Sequence, residues 1–254
     1  MYKLFITIIL AVFLMSGCGG QMSPVISSPE QQRPGLATKW GETRTSRVKN
    51  VLFTRANPDM PTATAILYYN DAQGIQAMTG VSPYYYQTRL ATRSPVGQAD
   101  FVSFWIASVE GIPLKEVTVG EQKYVIGQAD QRYAIQVHNH THNSLEAVLS
   151  VDGLDVLDGE AASFAKSGYV IAPYSTLQVE GFRQSMDHVA AFRFGSVAQS
   201  YANRKQGDTS NVGVIGLAIF HEQGTYPFSK WRSDDIQQRK AADPFPGRFA
   251  TPPD

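Results

Sequence analysis

The chain has 254 residues, with 22 basic and 22 acidic side chains and a formal net charge of zero at neutral pH. That balance argues against nucleic acid as a partner, which requires a basic face. Charged residues form only 17% of the chain, below the ~25% usual for soluble proteins, and the single cysteine, Cys18, excludes an internal disulfide framework.

At the N-terminus, Lys3 precedes an apolar run from Leu4 to Leu14, and Met15-Ser16-Gly17-Cys18-Gly19-Gly20 follows. The run is shorter than the ~20 residues needed to span a bilayer, and it fits the core of a secretory signal. A basic residue, an apolar core, small residues and then a cysteine resemble the lipobox of bacterial lipoprotein precursors, with Met15 in place of the usual leucine. The resemblance implies a signal peptide over 1–17 and a lipidated Cys18 as the first mature residue. It implies a membrane partner through the N-terminal lipid, held by more than one acyl chain. Gly19 in place of aspartate implies an outer-membrane destination, lipid-anchored and facing the periplasm.

Residues 18–40 read as the lipidated cysteine and a flexible linker, polar and without periodicity from Gly19 through Gly35. Residues 41–111 read as an N-terminal β-rich region. Within it Val48 to Phe53 and Thr62 to Tyr69 predict strands, and Asp71 to Met78 predicts a short helix stopped by Gly80. Phe101 to Val109 predicts a buried strand. Residues 112–222 carry the clearest pattern and read as a β-sandwich core domain. Strands are expected at Leu114–Val119, Lys123–Ile126, Tyr133–Val137, Leu145–Val151, Tyr169–Ala172, Thr176–Val179 and Val189–Phe194. Asn211 to Phe220 is expected to be a central strand. Asp152-Gly153 and Asp158-Gly159 fit type I′ turns, which need positive φ at both central residues. Residues 223–254 read as a short helix over Ser233–Ala242, capped by Ser233, and a Pro-rich tail. The expected class is mainly β: an antiparallel β-sandwich, Ig-like or jelly-roll-like, with short helices at the periphery.

The stretch YAIQVHNHTHNSLEAVLSVDGLDVLDGE, followed by GYVIAPYS, GFRQS, VAAFRF, SYA and NVGVIGLAIF, resembles a family of uncharacterised proteobacterial β-rich proteins. The resemblance spans about residues 112–222. It implies one β domain and transfers no catalytic residue.

Three constellations are candidates for chemistry. His138, His140 and His142 alternate, so on an extended strand they share a face and could offer three imidazoles to zinc or copper. The competing reading is a polar hairpin end, because Asn139, Thr141, Asn143 and Ser144 favour turns. Tyr84, Tyr85 and Tyr86 in a polar loop are a candidate platform for a sugar or a partner. Asp152, Asp155, Asp158 and Glu160 are acidic but lack the alternating spacing of a calcium loop. No Gly-x-Ser-x-Gly elbow and no phosphate loop occur. His188 and His221, each beside a carboxylate, read as surface or capped histidines.

The functional expectation is a membrane-anchored lipoprotein with a non-catalytic periplasmic sandwich used for binding or scaffolding. No cofactor is expected, and envelope proteins or peptidoglycan are the expected partners. The alternatives are a metal-binding protein using the three histidines, and a glycan-binding or cell-wall-modifying protein using the tyrosine loop.

Overall fold

Strands with one apolar face must pair their apolar faces, and here they do so in two layers. The computed structural model describes residues 33–80, 89–90, 94–96, 101–226 and 233–242. Cys18, Tyr84, Tyr85 and Tyr86 lie outside the described residues. In chain order the elements begin with β1 (Leu36–Thr45), β2 (Ala63–Asn70), α1 (Ala72–Thr79), β3 (Arg89–Leu90), β4 (Ser94–Val96) and β5 (Val102–Ala107). Next come β6 (Lys115–Val119), β7 (Gln122–Ile126), β8 (Ala134–Asn139), β9 (Leu145–Val151), β10 (Leu154–Asp155), β11 (Tyr169–Ile171) and β12 (Thr176–Val179). The series ends with β13 (Gly181–Arg183), β14 (His188–Ser196), a 3₁₀ turn at Val197–Gln199, α2 (Tyr201–Gln206), β15 (Val214–His221) and α3 (Ser233–Ala241).

The protein is mainly β, with antiparallel sheets and few short helices. One layer is an eight-stranded sheet in the order β10-β9-β15-β2-β7-β6-β3, with β11 also paired to β9. The second layer joins β1-β14-β13 to β12-β8-β5-β4. The two meet where Arg132 bridges Arg193 and the Tyr133 N–H donates to the Phe192 carbonyl. β2 and β7 form a parallel pair, where the sequence pattern points to an antiparallel sandwich. As expected, β15 is central, between β9 and β2.

Period-two alternation sorts the faces. Leu67 and Tyr69 of β2, Leu149 and Val151 of β9, and Ile215, Leu217 and Ile219 of β15 point inward. They meet Phe104 and Ile106 of β5, Ile135 and Val137 of β8, and Phe192 and Phe194 of β14 in one core. Burying each such side chain contributes about 1.5–3 kcal/mol. At the margin, α1 forms as predicted: Asp71 accepts from the Gly74 N–H at 2.6 Å, and Gly80 ends the helix at φ 71°.

A polar chain runs through this core. Asp152 is buried in the β9–β10 turn, and its carboxylate accepts from Tyr69 Oη at 2.6 Å, from the Gly213 N–H at 2.9 Å and from the Thr38 N–H at 2.7 Å. Thr38 Oγ1 lies 2.8 Å from Tyr69 Oη and 2.6 Å from Tyr133 Oη. The chemistry fixes the direction of each bond. Tyr69 spends its only proton on Asp152, so it accepts from Thr38, and Thr38 therefore accepts from Tyr133. Burial raises the pKa of both phenols well above the usual tyrosine value, so they remain proton donors. Tyr133→Phe removes the terminal donor alone. It is expected to lower stability by about 1 kcal/mol, read as a shift in urea midpoint without a change in slope.

Several expectations are corrected. The linker does not extend to residue 40: Leu36, Ala37 and Thr38 are buried in β1. Val48–Phe53 is irregular, with Leu52 fully exposed. Only the first Asp-Gly pair has positive φ at both residues, at 55° and 81°; in the second, Gly159 alone does. The line between 41–111 and 112–222 is not a seam. β2 sits between β15 and β7, β5 pairs with β8, and Arg33–Asp254 form one compact unit.

Candidate functional site

The outward face of the eight-stranded sheet carries an apolar groove. Its floor follows from register. Ile66 of β2, Gly216 of β15 and Ser150 of β9 form one cross-strand row, and Thr64, Ala218 and Val148 form the next. Gly216 leaves a dip at the centre, since a Cβ there would stand 2.6 Å from Ser150 Oγ. Ala162, Ser163 and Phe164, from the loop between β10 and β11, complete the lining of a cavity of about 480 Å³. Ile66 is 56% exposed and Phe164 50% exposed. These two large side chains present apolar surface to solvent at its rim.

One cation holds the groove's wall. Arg55 Nε donates to Glu146 Oε2 at 2.6 Å, Nη1 to the Phe164 carbonyl at 2.6 Å and Nη2 to the Lys166 carbonyl at 2.5 Å. Its guanidinium lies 3.7 Å above the Phe220 ring. Glu146 Oε1 accepts from the Gly168 N–H at 2.6 Å. Sheet, loop and cation are thus joined by one set of hydrogen bonds. Beyond the Ile66 row, Tyr68 stacks on Tyr124 of β7 at 5.4 Å.

No aspartate, glutamate, histidine, lysine, arginine or cysteine lines this groove among the described residues. Acid–base or nucleophilic chemistry needs a titratable or nucleophilic group within hydrogen-bond reach of the reacting atom. Of such groups the groove offers only the hydroxyls of Thr64, Ser150 and Ser163, with no base in the lining to activate them. The arrangement is suited to burying apolar groups with a few oriented hydrogen bonds.

The histidines are only partly brought together. His138 and His140 meet edge to face at 4.4 Å. His138 Nδ1 pairs with Thr176 Oγ1 at 2.8 Å, and His140 Nε2 with Ser103 Oγ at 2.7 Å. His142 is exposed beside the Asn143 amide. Among the described residues no three His, Cys, Asp or Glu side chains are placed to hold a metal ion. The organiser of the segment is Asn139, fully buried. Its amide donates to the carbonyls of Asn143, Ile171 and Ala172, and its Oδ1 accepts from the Thr141 N–H and hydroxyl. The hairpin reading is corrected as well: β8 pairs with β5 and β12, and β9 with β10, β11 and β15, so the segment carries the chain from one sheet to the other, with Asn139 and Thr141 buried.

The acidic cluster is dispersed into structural roles. Asp155 Oδ1 accepts from the Leu157 and Asp158 N–H groups, Asp158 pairs with Lys166, and Glu160 with Lys205. His221 Nδ1 lies 2.7 Å from Thr62 Oγ1, and burial lowers its pKa. His188 lies beside Ser185 at 3.4 Å.

Reasoning from sequence misses the groove, although it predicts the strands beneath it. The outward positions of β2, Thr64, Ile66 and Tyr68, alternate with the buried ones, and an isoleucine on the outer face is the available signal. Compared with family models, with curated proteins and with solved structures, the chain finds no match.

Proposed function

We propose that the protein is a lipid-anchored, non-catalytic module of the cell envelope that binds apolar side chains of a partner protein in the groove across β9, β15 and β2. The observation that carries this reading is a lining without titratable groups among the described residues, on a clamped wall and a sheet floor. Contiguous apolar surface left open to solvent is a common mark of a protein-docking site. The lipobox-like segment ending at Cys18 supplies the anchor in this reading, and Gly19 its destination at the outer membrane. Among the described residues no helix is long and apolar enough to cross a membrane.

Site-specific photo-crosslinking in the native cell tests the groove. A crosslinker at Ile66 or Phe164 is expected to capture one discrete partner, and a crosslinker at exposed Glu121 is not. Ile66→Asp is expected to reduce capture from Phe164 at least tenfold while changing stability by under about 1 kcal/mol. Equal capture from Glu121 would exclude the groove as the docking site. A Cys18→Ala form that captures the partner equally and restores a deletion fully would exclude a role for anchoring.

A further inference from the structure

A second hollow, independent of the groove, lies where β1 bends past the 3₁₀ turn and α2. The register of β1 on β14 shifts between Trp40 and Thr43, a bulge that re-aims the side chains around it. Gly41 sits in the bulge, where a Cβ would stand 2.4 Å from the Ala191 carbonyl. Trp40 packs on Phe182 at 6.2 Å, with rings nearly parallel, and on Tyr201 at 4.7 Å. It is nevertheless 41% exposed. A large aromatic ring that is fixed on one side and open elsewhere is a platform whose ordering cost is already met by the fold.

The groups around Trp40 are polar and of both kinds. Lys39, Glu42, Arg193, Gln199 and Arg204 line a cavity of about 380 Å³ with it. Glu42 accepts from Arg193 Nη2 at 2.8 Å and from Arg132 Nη1 at 3.3 Å. The hydrogen bond from Arg193 chiefly holds its carboxyl below the usual glutamate value, so it is an ionised acceptor. Lys39 pairs with Asp130. Arg204 makes no ion pair among the described residues, yet it faces the same hollow. The lining therefore holds three cations and one anion, with one cation unspent.

We propose that this hollow is a binding site for a sugar ring bearing a carboxylate. Each part of the ligand has a counterpart. The indole receives the C–H face of a pyranose. Vicinal hydroxyls need a donor and an acceptor side by side, which Gln199 and the Glu42–Arg193 pair provide. The Arg204 guanidinium receives the carboxylate, where two parallel N–H···O bonds are favoured. The volume, near the lower end of small-ligand sites, fits one or two sugar units.

Calorimetric titration of the full chain decides it, with tri-galacturonate, its methyl ester and a glutamate tripeptide as probes. Tri-galacturonate is expected to bind at least tenfold more tightly than the ester or the peptide. Trp40→Ala should abolish binding and Trp40→Phe should restore part of it. Arg204→Gln, an exposed change that leaves the fold intact, should remove the preference for the acid over the ester. Absence of tri-galacturonate binding to the wild type overturns the proposal. So does retention of the acid preference in Arg204→Gln, or tighter binding of the peptide, which would make the hollow a peptide site. Ile66→Asp should leave this titration unchanged, so the site stands or falls apart from the groove.

Discussion

Asp152→Ala is expected to cost roughly 3–5 kcal/mol and to loosen β1 from the sandwich before the eight-stranded sheet melts. The change strips acceptors from three buried donors, the Thr38 and Gly213 N–H groups and the Tyr69 hydroxyl, each worth at least about 1 kcal/mol when left unpaired, while release of the desolvated carboxylate offsets part of the sum. It also places alanine at φ 55°, a left-handed conformation that aspartate adopts more readily because its short polar side chain bonds locally. Urea unfolding gives the total, and hydrogen exchange at Thr38 gives the local effect. A loss below about 1 kcal/mol would mean that water replaces the carboxylate and that the chain is not buried as described.

Acid titration separates the charge of Asp152 from its geometry. Burial pushes its carboxyl up from 3.8 to about 6, and the bonds from Tyr69, Thr38 and Gly213 only partly offset this. The folded state therefore holds the proton more tightly than the unfolded chain does. Between those two values the native state binds more protons, so this group's contribution to stability falls as pH rises from about 4 to about 6 and is flat above. Two pH units correspond to roughly 3 kcal/mol. Glu42, Asp130 and Asp158 are shifted downward by their cationic partners and by hydrogen bonds, so their contributions run the other way, lost on acidification. Asp152→Asn tolerates the same backbone and removes the titration, but it also turns one acceptor oxygen into an amide donor facing a donor. That cost does not vary with pH, so the pH dependence of the wild-type-minus-variant difference isolates the group. That difference should favour the wild type increasingly from pH 6 down to pH 4. A constant difference would show that folding does not raise the pKa of Asp152.

What can be read locally is what local chemistry decides. Leu145–Val151 forms β9 over those same residues, and α1 stops at Gly80 as predicted, with Asp71, read as its first residue, serving as its cap. Asp152-Gly153 takes both positive φ values because the strands on either side pair directly. β1 is not legible. Its sequence LATKWGETRT does not alternate cleanly, and its buried start is held by Asp152, 114 positions away. Val48–Phe53 fails in the opposite sense. Its β-favouring side chains find no strand to pair with, and strand propensity reflects same-face packing more than backbone preference. The groove belongs to the same class as β1. That Ile66 is an outward strand position follows from alternation, but that Gly216 and Ser150 stand beside it is set by register between distant strands. Arg55 carries no signal at all, sitting in a stretch with no periodicity.

Arg55 is nevertheless where the second large effect is expected. Arg55→Ala should destabilise the protein by roughly 3–5 kcal/mol, because the pair with Glu146 is buried, with the two side chains 12% and 9% exposed. Removing one member of a buried pair leaves the other charge uncompensated. An exposed pair would cost under about 1 kcal/mol, so the magnitude itself tests the burial. The double variant Arg55→Met with Glu146→Gln removes both charges and should recover more than half of the loss, since the amide side chain that replaces the carboxylate still offers an oxygen to the Gly168 N–H. It cannot recover the two carbonyl contacts at Phe164 and Lys166. The loop from Ala162 to Gly168 should therefore exchange its amide protons rapidly in both variants, while β9 and β15 stay protected. If partner capture from a crosslinker at Ile66 falls in the single and the double variant alike, the clamp acts by shaping the groove wall. If capture returns with stability in the double variant, the groove needs only a folded sheet beneath it and the position of Phe164 is immaterial.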